Sequence, residues 1–244
     1  YLRDFQVADP TVTEQVSVGQ LLDHTNGIAG DFWGNESYTQ DNAIARYLDR
    51  CSLLPQVHPL GKKHCYSNAA YSIAGRLIEV VLGISWYDAI EERIFQPLGM
   101  IQSVAHPSQI LRHRAAMGHI SDPHNKGKWV LSPTCYFPMG WAPCGSALTL
   151  SASDLIKFAK VHLNKGRTES GKSWLSPASI KQMQTSRIQL PPYADYFVTD
   201  WGLGWSLINT TQTAMVGHGG RTAGQTAYLQ LVPERNLAFV IQQN

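Results

Sequence analysis

The chain has 244 residues, enough for one large domain or two small ones, and its hydrophobic content of 43% is typical of a globular protein with an apolar core. Its 20 basic and 18 acidic residues leave a formal charge of only +2 with no Lys/Arg-rich run, which argues against a nucleic-acid partner. No apolar run reaches about 18 residues and no signal-peptide pattern opens the chain, so we predict no transmembrane segment.

The cysteines and the two ends carry weaker information. Cys51, Cys65, Cys135 and Cys144 have no CxxC spacing, so a single disulfide stays possible, but free thiols packed as small apolar groups are the expectation we favour. The chain opens without methionine and stops inside a strand-like run at 239–244, which suggests that both ends are cut. The compartment is left open.

Apolar spacing and capping residues predict that the first two hundred residues are mostly helical. The clearest helix starts at Asn68 and ends at a C-cap glycine, Gly83. Its apolar residues at helical spacing are Ala70, Ala74, Leu77, Ile78 and Val81. The other predicted helices lie within 16–27, ended by Asn26-Gly27; around 43–48; from Ser85 to about Phe95, ended by Pro97 and Gly99; over 151–163; and after Ser176-Pro177.

The remaining segments are predicted to be irregular or extended rather than helical. Residues 101–149 are rich in His, Pro and Gly and indicate a long irregular excursion. After residue 199, short strand-like runs at 202–208, 213–216, 226–232 and 237–242 favour an antiparallel meander. We therefore predict two regions, a mostly helical one over 1–198 and a sheet region over 199–244.

A tyrosine directly before the clearest helix is the first candidate for chemistry. The hydroxyl of Tyr66 would lie near the positive end of that helix, which would favour the phenolate and make it a possible general base. The alternative is a half-buried aromatic that only packs. Asn68 could hold a substrate carbonyl or amide, or it could simply cap the helix.

The second candidate is the stretch 217–224, placed between two strand-like runs. His218 has glycines on both sides, so a ligand could approach the backbone while the imidazole orients or shuttles a proton. Gly220 and Arg221 could then offer backbone N–H groups at an unpaired strand edge, the donors that an oxyanion hole needs. A plain glycine-rich hairpin turn is the alternative.

Other residue types suggest no further site. His106, His113, His119 and His124 match no metal-ligand spacing, so we predict neither a metal nor another cofactor. Several tryptophans could wall an acyl pocket, although core packing is the default for most of them. They are Trp33, Trp129, Trp141, Trp201 and Trp205, with Tyr136 close to Trp141 in sequence.

Six segments in order resemble the serine β-lactamase-like superfamily, in particular class C β-lactamases, low-molecular-mass penicillin-binding proteins, D-amino-acid peptidases and related carboxylesterases. Residues 18–27 resemble its LLxHTSG segment, with Asn26 where serine is usual, and 66–71 resemble its YSNxgY segment. The others are 94–100 (PLGM), 145–155 (GgLxSTaxDla), 201–205 (yGLGW) and 217–234 (GHxGxxxG…xPe).

The resemblance implies an α/β (α+β) fold, with an antiparallel sheet flanked by helices beside a mostly helical domain, incomplete at both ends. It also implies acyl transfer through a serine ester, with a small ester, amide or peptide as substrate. Carried over, Tyr66 is the general base, Asn68 contacts the substrate, and His218-Gly219-Gly220 replaces a motif that is often Lys-Thr-Gly. The N–H of Arg221 is an oxyanion donor. A neutral imidazole in place of lysine supplies no fixed charge, which tilts the substrate away from penicillins.

The nucleophile of that family is absent from these residues. It is the serine of Ser-x-x-Lys, and no serine here is followed by lysine at the third position; Ser153 with Lys157 and Ser179 with Lys181 miss it by one residue. The favoured account places the motif before residue 1, in a missing segment that also covers a sheet otherwise open at both faces. The alternatives are a catalytically inactive binding homologue and an acyltransferase of the same family.

Overall fold

The structure is a computed structural model that describes residues 1–3, 5–31, 42–135, 137–191 and 197–244. Trp33 and Tyr136 lie outside the described residues. The helices within those ranges are α1 (Pro10–Gln15), α2 (Val18–Leu22), α3 (Ala43–Arg50), α4 (Asn68–Leu82), α5 (Trp86–Ile90), α6 (Gln96–Leu98), α7 (Ala152–Leu163) and α8 (Pro177–Met183). These helices all lie before Gln184 and are separated mostly by irregular segments.

The longest helix, α4, has the predicted bounds but a different buried face. It starts after Ser67, whose Oγ accepts the N–H of Ala70, and it ends at Gly83, which has φ 69°. The residues that α4 buries are Ala69, Ala70, Ser72, Ile73, Gly75 and Glu79. Ile78 and Val81, placed on the apolar face by sequence spacing, are exposed. Small residues let α4 approach its neighbours closely: a Cβ on Gly75 would lie 2.2 Å from Pro143.

Two other helices differ in their ends from the sequence prediction. The helix in 16–27 is only α2, because the chain turns at Asp23 and His24, well before Asn26-Gly27. The helix that starts at Ser85 continues through a π-helical turn, Glu91–Phe95, into α6 and stops at Gly99, which has φ 63°. Pro97 has no N–H to donate within this continuous stretch, but the carbonyl oxygen of Arg93, four residues earlier, accepts from Nε1 of Trp174 at 2.7 Å, so the proline does not end the helix.

The strands form a six-stranded antiparallel sheet in the order β3-β4-β5-β6-β7-β8, and a separate hairpin pairs β1 with β2. Their bounds are β1 (His119–Ser121), β2 (Trp129–Leu131), β3 (Ile188–Gln189), β4 (Asp200–Trp201), β5 (Ser206–Asn209), β6 (Ala214–Thr222), β7 (Gln225–Val232) and β8 (Leu237–Gln243). The predicted meander is confirmed. β3 precedes residue 199 and still joins the same sheet; the division at that residue stays a prediction.

The stretch 217–224 is mostly strand, whereas the sequence placed it between strands. Seven consecutive residues of β6, from Val216 to Thr222, pair with β7, so the motif forms the second half of β6. The alternating glycines in a polar run do not predict a strand. The segment is a strand because it pairs with the apolar strand β7.

The sheet has one covered face and one exposed face. α7 packs over β7 and β8 through Phe158 and Ala159, above a core that includes Leu207, Leu229 and Leu231. The expectation of a sheet open at both faces is therefore wrong for the α7 side. The opposite face of β8 exposes three alternate residues, Leu237 (51%), Phe239 (41%) and Ile241 (59%).

The remaining expectations on composition can be compared with the described residues. All four cysteines are free. No single helix there is long and apolar enough to cross a membrane; α4 and the stretch Trp86–Leu98 reach that length only as a pair bent by 84°.

Candidate active site

Tyr66 lies where an extended segment turns into α4. The next residue, Ser67, is fully buried and caps the helix, so the alternative of Asn68 as the cap does not apply. Tyr66 as a residue keeps 44% of its surface exposed, so part of it is in contact with solvent. A rigid helix start thus presents Tyr66 at the edge of a cleft rather than in the core.

A tight turn after α2 holds the backbone on both sides of Tyr66. The carbonyl oxygen of His24 accepts the N–H of Cys65 at 2.9 Å, and its Nδ1 accepts the N–H of Ser67 at 3.1 Å. The ring of His24 lies against that of Tyr66, with centroids 4.3 Å apart. His24 is 1% exposed and has φ 59°, a left-handed conformation that is uncommon outside glycine.

β6 supplies the opposite wall of the cleft. A two-residue turn follows Thr222, and β5 pairs with β6 only as far as Gly217. Because hydrogen-bonding directions alternate along an antiparallel ladder, the N–H groups of Gly219 and Arg221 point to the β5 side of β6, beyond the part that β5 covers. Within the described residues, no strand pairs with this part of the β5 side of β6, so its N–H groups lie on an unpaired strand edge.

The sheet brings His218 to Tyr66 across this cleft. Their ring centroids are 6.2 Å apart, and the indole of Trp201, on β4, lies 5.8 Å from Tyr66 and 5.5 Å from His218. Trp201 also contacts His24 at 5.2 Å, so the four rings form one cluster. Gly220 follows on β6, where a Cβ would meet nothing within 4 Å, which is consistent with open space beside the strand.

An acidic group reaches the same place from the loop after the His24 turn. The side-chain amide of Asn68 donates to Oδ1 of Asp31 at 2.7 Å. The two predicted walls, Tyr66 with Asn68 and His218 with the following residues of β6, are thus brought together with a carboxylate beside them.

The electrostatics oppose one expectation from sequence. The helix start was expected to favour the phenolate of Tyr66, but burial, followed by the thiol of Cys144 and the carboxylate of Asp31, raises its pKa to about 12. Desolvation penalises the phenolate, and two neighbours that ionise to anions add to that effect. Burial also lowers the pKa of His218 below its usual value, so the imidazole is neutral at pH 7. As described, the cleft holds a protonated phenol and a neutral imidazole.

Sequence reasoning missed three contributors to this site. His24 stood inside a family-like segment but received no role, because its left-handed turn has no strong sequence signal. Trp201 was treated as one tryptophan among several, and Asp31 was not considered. A buried histidine directly after a helix, two residues before Asn-Gly, is the one signal that could have pointed to the turn.

Comparisons with known proteins show the family and the fold of the chain. The profile of the β-lactamase family matches residues 1–244. The chain belongs to the β-lactamase family. Members of this family are serine hydrolases. Penicillin-binding protein 4 of Amycolatopsis lactamdurans is 35% identical over 247 residues, which cover all of this chain and 63% of that protein. The chain therefore spans less than two thirds of that relative.

Solved structures show the same fold. The octameric penicillin-binding protein homologue from Pyrococcus abyssi superposes with a TM-score of 0.78 at 27% identity, covering 99% of this chain and 54% of that one. D-amino acid amidase from Ochrobactrum anthropi SV3, complexed with L-phenylalanine amide, gives 0.73 at 23% identity, covering 96% and 66%. The chain thus has the same fold as these two proteins, with its helices and sheet placed in the same way.

Proposed function

We propose that this chain is part of a serine hydrolase that cleaves a small ester or amide through an acyl-enzyme intermediate, with the nucleophilic serine outside these 244 residues. The observation that carries the proposal is the meeting of Tyr66 and His218, with centroids 6.2 Å apart, beside an open strand edge. A phenol, an imidazole and free backbone donors around one cleft are the groups that acyl transfer needs besides a nucleophile.

Each residue has a role in this proposal. Tyr66 takes the proton of the nucleophile as general base and returns it to the leaving group. Asn68 binds the carbonyl side of the substrate, and the N–H of Arg221, with Gly219 and Gly220 leaving room on β6, stabilises the oxyanion. His218 hydrogen-bonds the substrate or the leaving group as a neutral imidazole.

A base with a pKa of about 12 is almost fully protonated at neutral pH, so Tyr66 needs a nearby cation when it acts. The Ser-x-x-Lys motif would supply both missing groups, because its lysine ammonium beside the phenol would lower that pKa. This requirement supports a nucleophile segment that joins the cleft from outside the described chain. We propose that the same segment covers the exposed face of the sheet at Leu237, Phe239 and Ile241.

The charge of the described cleft supports a neutral or amine-bearing substrate. His218 carries no positive charge and Asp31 lies beside Asn68, so the imidazole that stands in place of the usual lysine gives a substrate carboxylate no charged partner. Simple esters and amides, including amides of amino acids as in the Ochrobactrum relative, meet that condition better than an acidic antibiotic.

The test uses the whole protein, expressed with whatever segments flank these residues. Hydrolysis of a p-nitrophenyl ester, an amino-acid amide and a chromogenic cephalosporin is measured, and intact mass detects the acyl adduct. Tyr66→Phe should lower kcat by roughly a hundredfold or more. Tyr87→Phe is the matched control, since its buried hydroxyl donates to the carbonyl oxygen of Met139 at 3.2 Å, away from the cleft.

The outcomes separate the candidates. Turnover with an adduct that Tyr66→Phe abolishes supports the hydrolase, and transfer to an added alcohol in place of water identifies an acyltransferase. The absence of both turnover and adduct with all three substrates would contradict the proposal. That result would support the binding homologue, which the missing Ser-x-x-Lys within 1–244 favours.

A further inference from the structure

We propose that His24 is the positioning residue of Tyr66, holding the backbone on both sides of the tyrosine so that its phenol stays at the cleft. This inference rests on the proposed role of Tyr66 as general base. The side chain of His24 lies behind Tyr66 and is buried.

The two hydrogen bonds that His24 accepts flank the dipeptide Cys65-Tyr66. The carbonyl oxygen of His24 accepts the N–H of Cys65 and its Nδ1 accepts the N–H of Ser67, so the 64–65 and 66–67 peptide groups are both fixed to His24. Two such bonds leave the Cα of Tyr66 little freedom to shift or rotate. Its ring is then supported from behind by the imidazole at 4.3 Å.

The hydrogen bond also fixes the chemical state of His24. A backbone N–H can only donate, so Nδ1 must be the acceptor and the ring must be the neutral tautomer with its proton on Nε2. The titratable groups that face this ring are His64, His218, Tyr66 and Tyr71. Burial, then His64 and His218, lowers the pKa of His24 to about 3, so the acceptor persists throughout the neutral pH range.

The backbone of His24 has an uncommon conformation that the surroundings enforce. Its φ of 59° is left-handed, and Asp23 next to it accepts both the N–H and the hydroxyl of Thr25. Left-handed non-glycine residues persist where surrounding contacts over-determine them, and they concentrate at functional sites. Here the conformation directs the carbonyl and the ring of His24 to the same short segment of chain.

The experiment compares two amides that place their oxygen differently. His24→Asn puts a carbonyl oxygen at about the position of Nδ1, and asparagine tolerates a left-handed backbone. His24→Gln puts its oxygen near the position of Nε2, where it cannot reach the N–H of Ser67. Both variants are made in the whole protein, with kcat and KM measured on the best ester or amide substrate.

A matched pair controls for the backbone conformation. Lys165 also has a left-handed φ, 53°, but it is exposed in the turn after α7 and far along the chain from the cleft. Lys165→Asn and Lys165→Gln therefore report the cost of the same amides on such a backbone, and neither should change kcat.

The second measurement follows Tyr66 directly. With [13Cζ]tyrosine incorporated, the Tyr66 signal is assigned by its loss in Tyr66→Phe, and its pKa and line width are recorded by NMR. His24→Gln should shift the Tyr66 pKa away from the value measured in the wild-type whole protein and broaden the signal, since the released phenol changes its hydration and its neighbours. His24→Asn should leave the Tyr66 signal sharp.

The expected result is a loss of kcat of about a hundredfold in His24→Gln, with KM changed less than about threefold, and recovery to within about tenfold of wild type in His24→Asn. Equal kcat values in the two variants, or an unchanged Tyr66 signal in folded His24→Gln, would overturn the inference. If His24→Gln does not fold, a hundredfold loss in folded His24→Asn overturns it instead. Activity that survives Tyr66→Phe would refute the proposed function alone, because the NMR comparison does not depend on turnover.

Discussion

A glycine that touches the carbonyl of Tyr66 allows a sharp test of how closely the site is packed. A Cβ built on Gly30 would lie 2.5 Å from the carbonyl oxygen of Tyr66 and 3.4 Å from the Cα of Ser67. Gly30 also accepts the N–H of Ala69 through its own oxygen at 3.0 Å. Gly30→Ala therefore forces a methyl group against the segment that carries Tyr66, the proposed general base.

The expected losses of stability and of kcat in Gly30→Ala follow from these distances. Ordinary contact starts near 3.4 Å, so the methyl group needs about 0.9 Å of extra room, and the contacting atom is backbone, which cannot rotate away. The capped start of α4 and the two hydrogen bonds to His24 resist that movement. Overpacking of this kind costs about 1–3 kcal/mol in the free energy of unfolding. A displacement of about 1 Å in Tyr66 would lower kcat by roughly a hundredfold.

The assay combines urea unfolding of the whole protein with kcat on the ester or amide substrate. Gly19→Ala is the control, because its nearest neighbours are side-chain atoms at 3.6 and 3.8 Å and it lies inside α2, where alanine is favoured by up to about 1 kcal/mol. If Gly30→Ala unfolds within about 0.5 kcal/mol of wild type and keeps its kcat, the packing argument for Tyr66 is refuted.

Two further predictions concern charge. Asp31→Asn removes one of the causes that raise the pKa of Tyr66, so NMR titration should find that pKa lower than in the wild-type protein. Because the carboxylate is exposed, we expect at most about a tenfold gain in kcat at neutral pH. His162 is 2% exposed and burial lowers its pKa to about 4, below the unfolded value of 6.5, so the unfolded state binds the proton first. Stability should therefore fall as the pH drops from 6.5 to 4, by roughly 3 kcal/mol from this residue. In His162→Phe the pH dependence of urea unfolding should be shallower over that window, and an unchanged slope would contradict the assignment.

The sequence predicted the features that are determined by residues close to them in the chain, in particular the ends of several helices. The C-cap of α4 at Gly83, the start of α7 after Ser151 and that of α8 at Pro177 are set by residues within one turn of the helix end. These positions need no knowledge of the rest of the chain. They were predictable from residue type and spacing.

The features that failed depend on partners distant in sequence. Which face of α4 is buried is decided by the turn Met139–Cys144 that packs on it, not by the apolar count of α4 itself. The strand character of His218 to Thr222 comes from β7, and the role of His24 comes from a segment some forty residues later. Periodicity within one element carries no information on such contacts.

The sign of the Tyr66 shift shows why a local rule also failed inside the site. A helix start stabilises an anion only within its first turn and by less than about 1 kcal/mol at an exposed position. Tyr66 is two residues before Asn68, and removing water from the phenolate, with Asp31 nearby, outweighs that gain. Proximity to a helix end therefore cannot by itself identify a general base.

The raised pKa of Tyr66 also defines what the proposed nucleophile segment must supply, which is a positive charge beside the phenol. If the described cleft alone set the chemistry, Tyr66 would be a hydrogen-bond donor at neutral pH and could not accept the proton of a serine. A lysine entering beside Tyr66 would reverse that balance, whereas a serine without a cation would not. In the proposed function, Tyr66 is positioned by His24 but stays protonated until a cation from the complementary segment lies beside it. The pKa of Tyr66, measured with and without that segment, therefore gives the contribution of the cation.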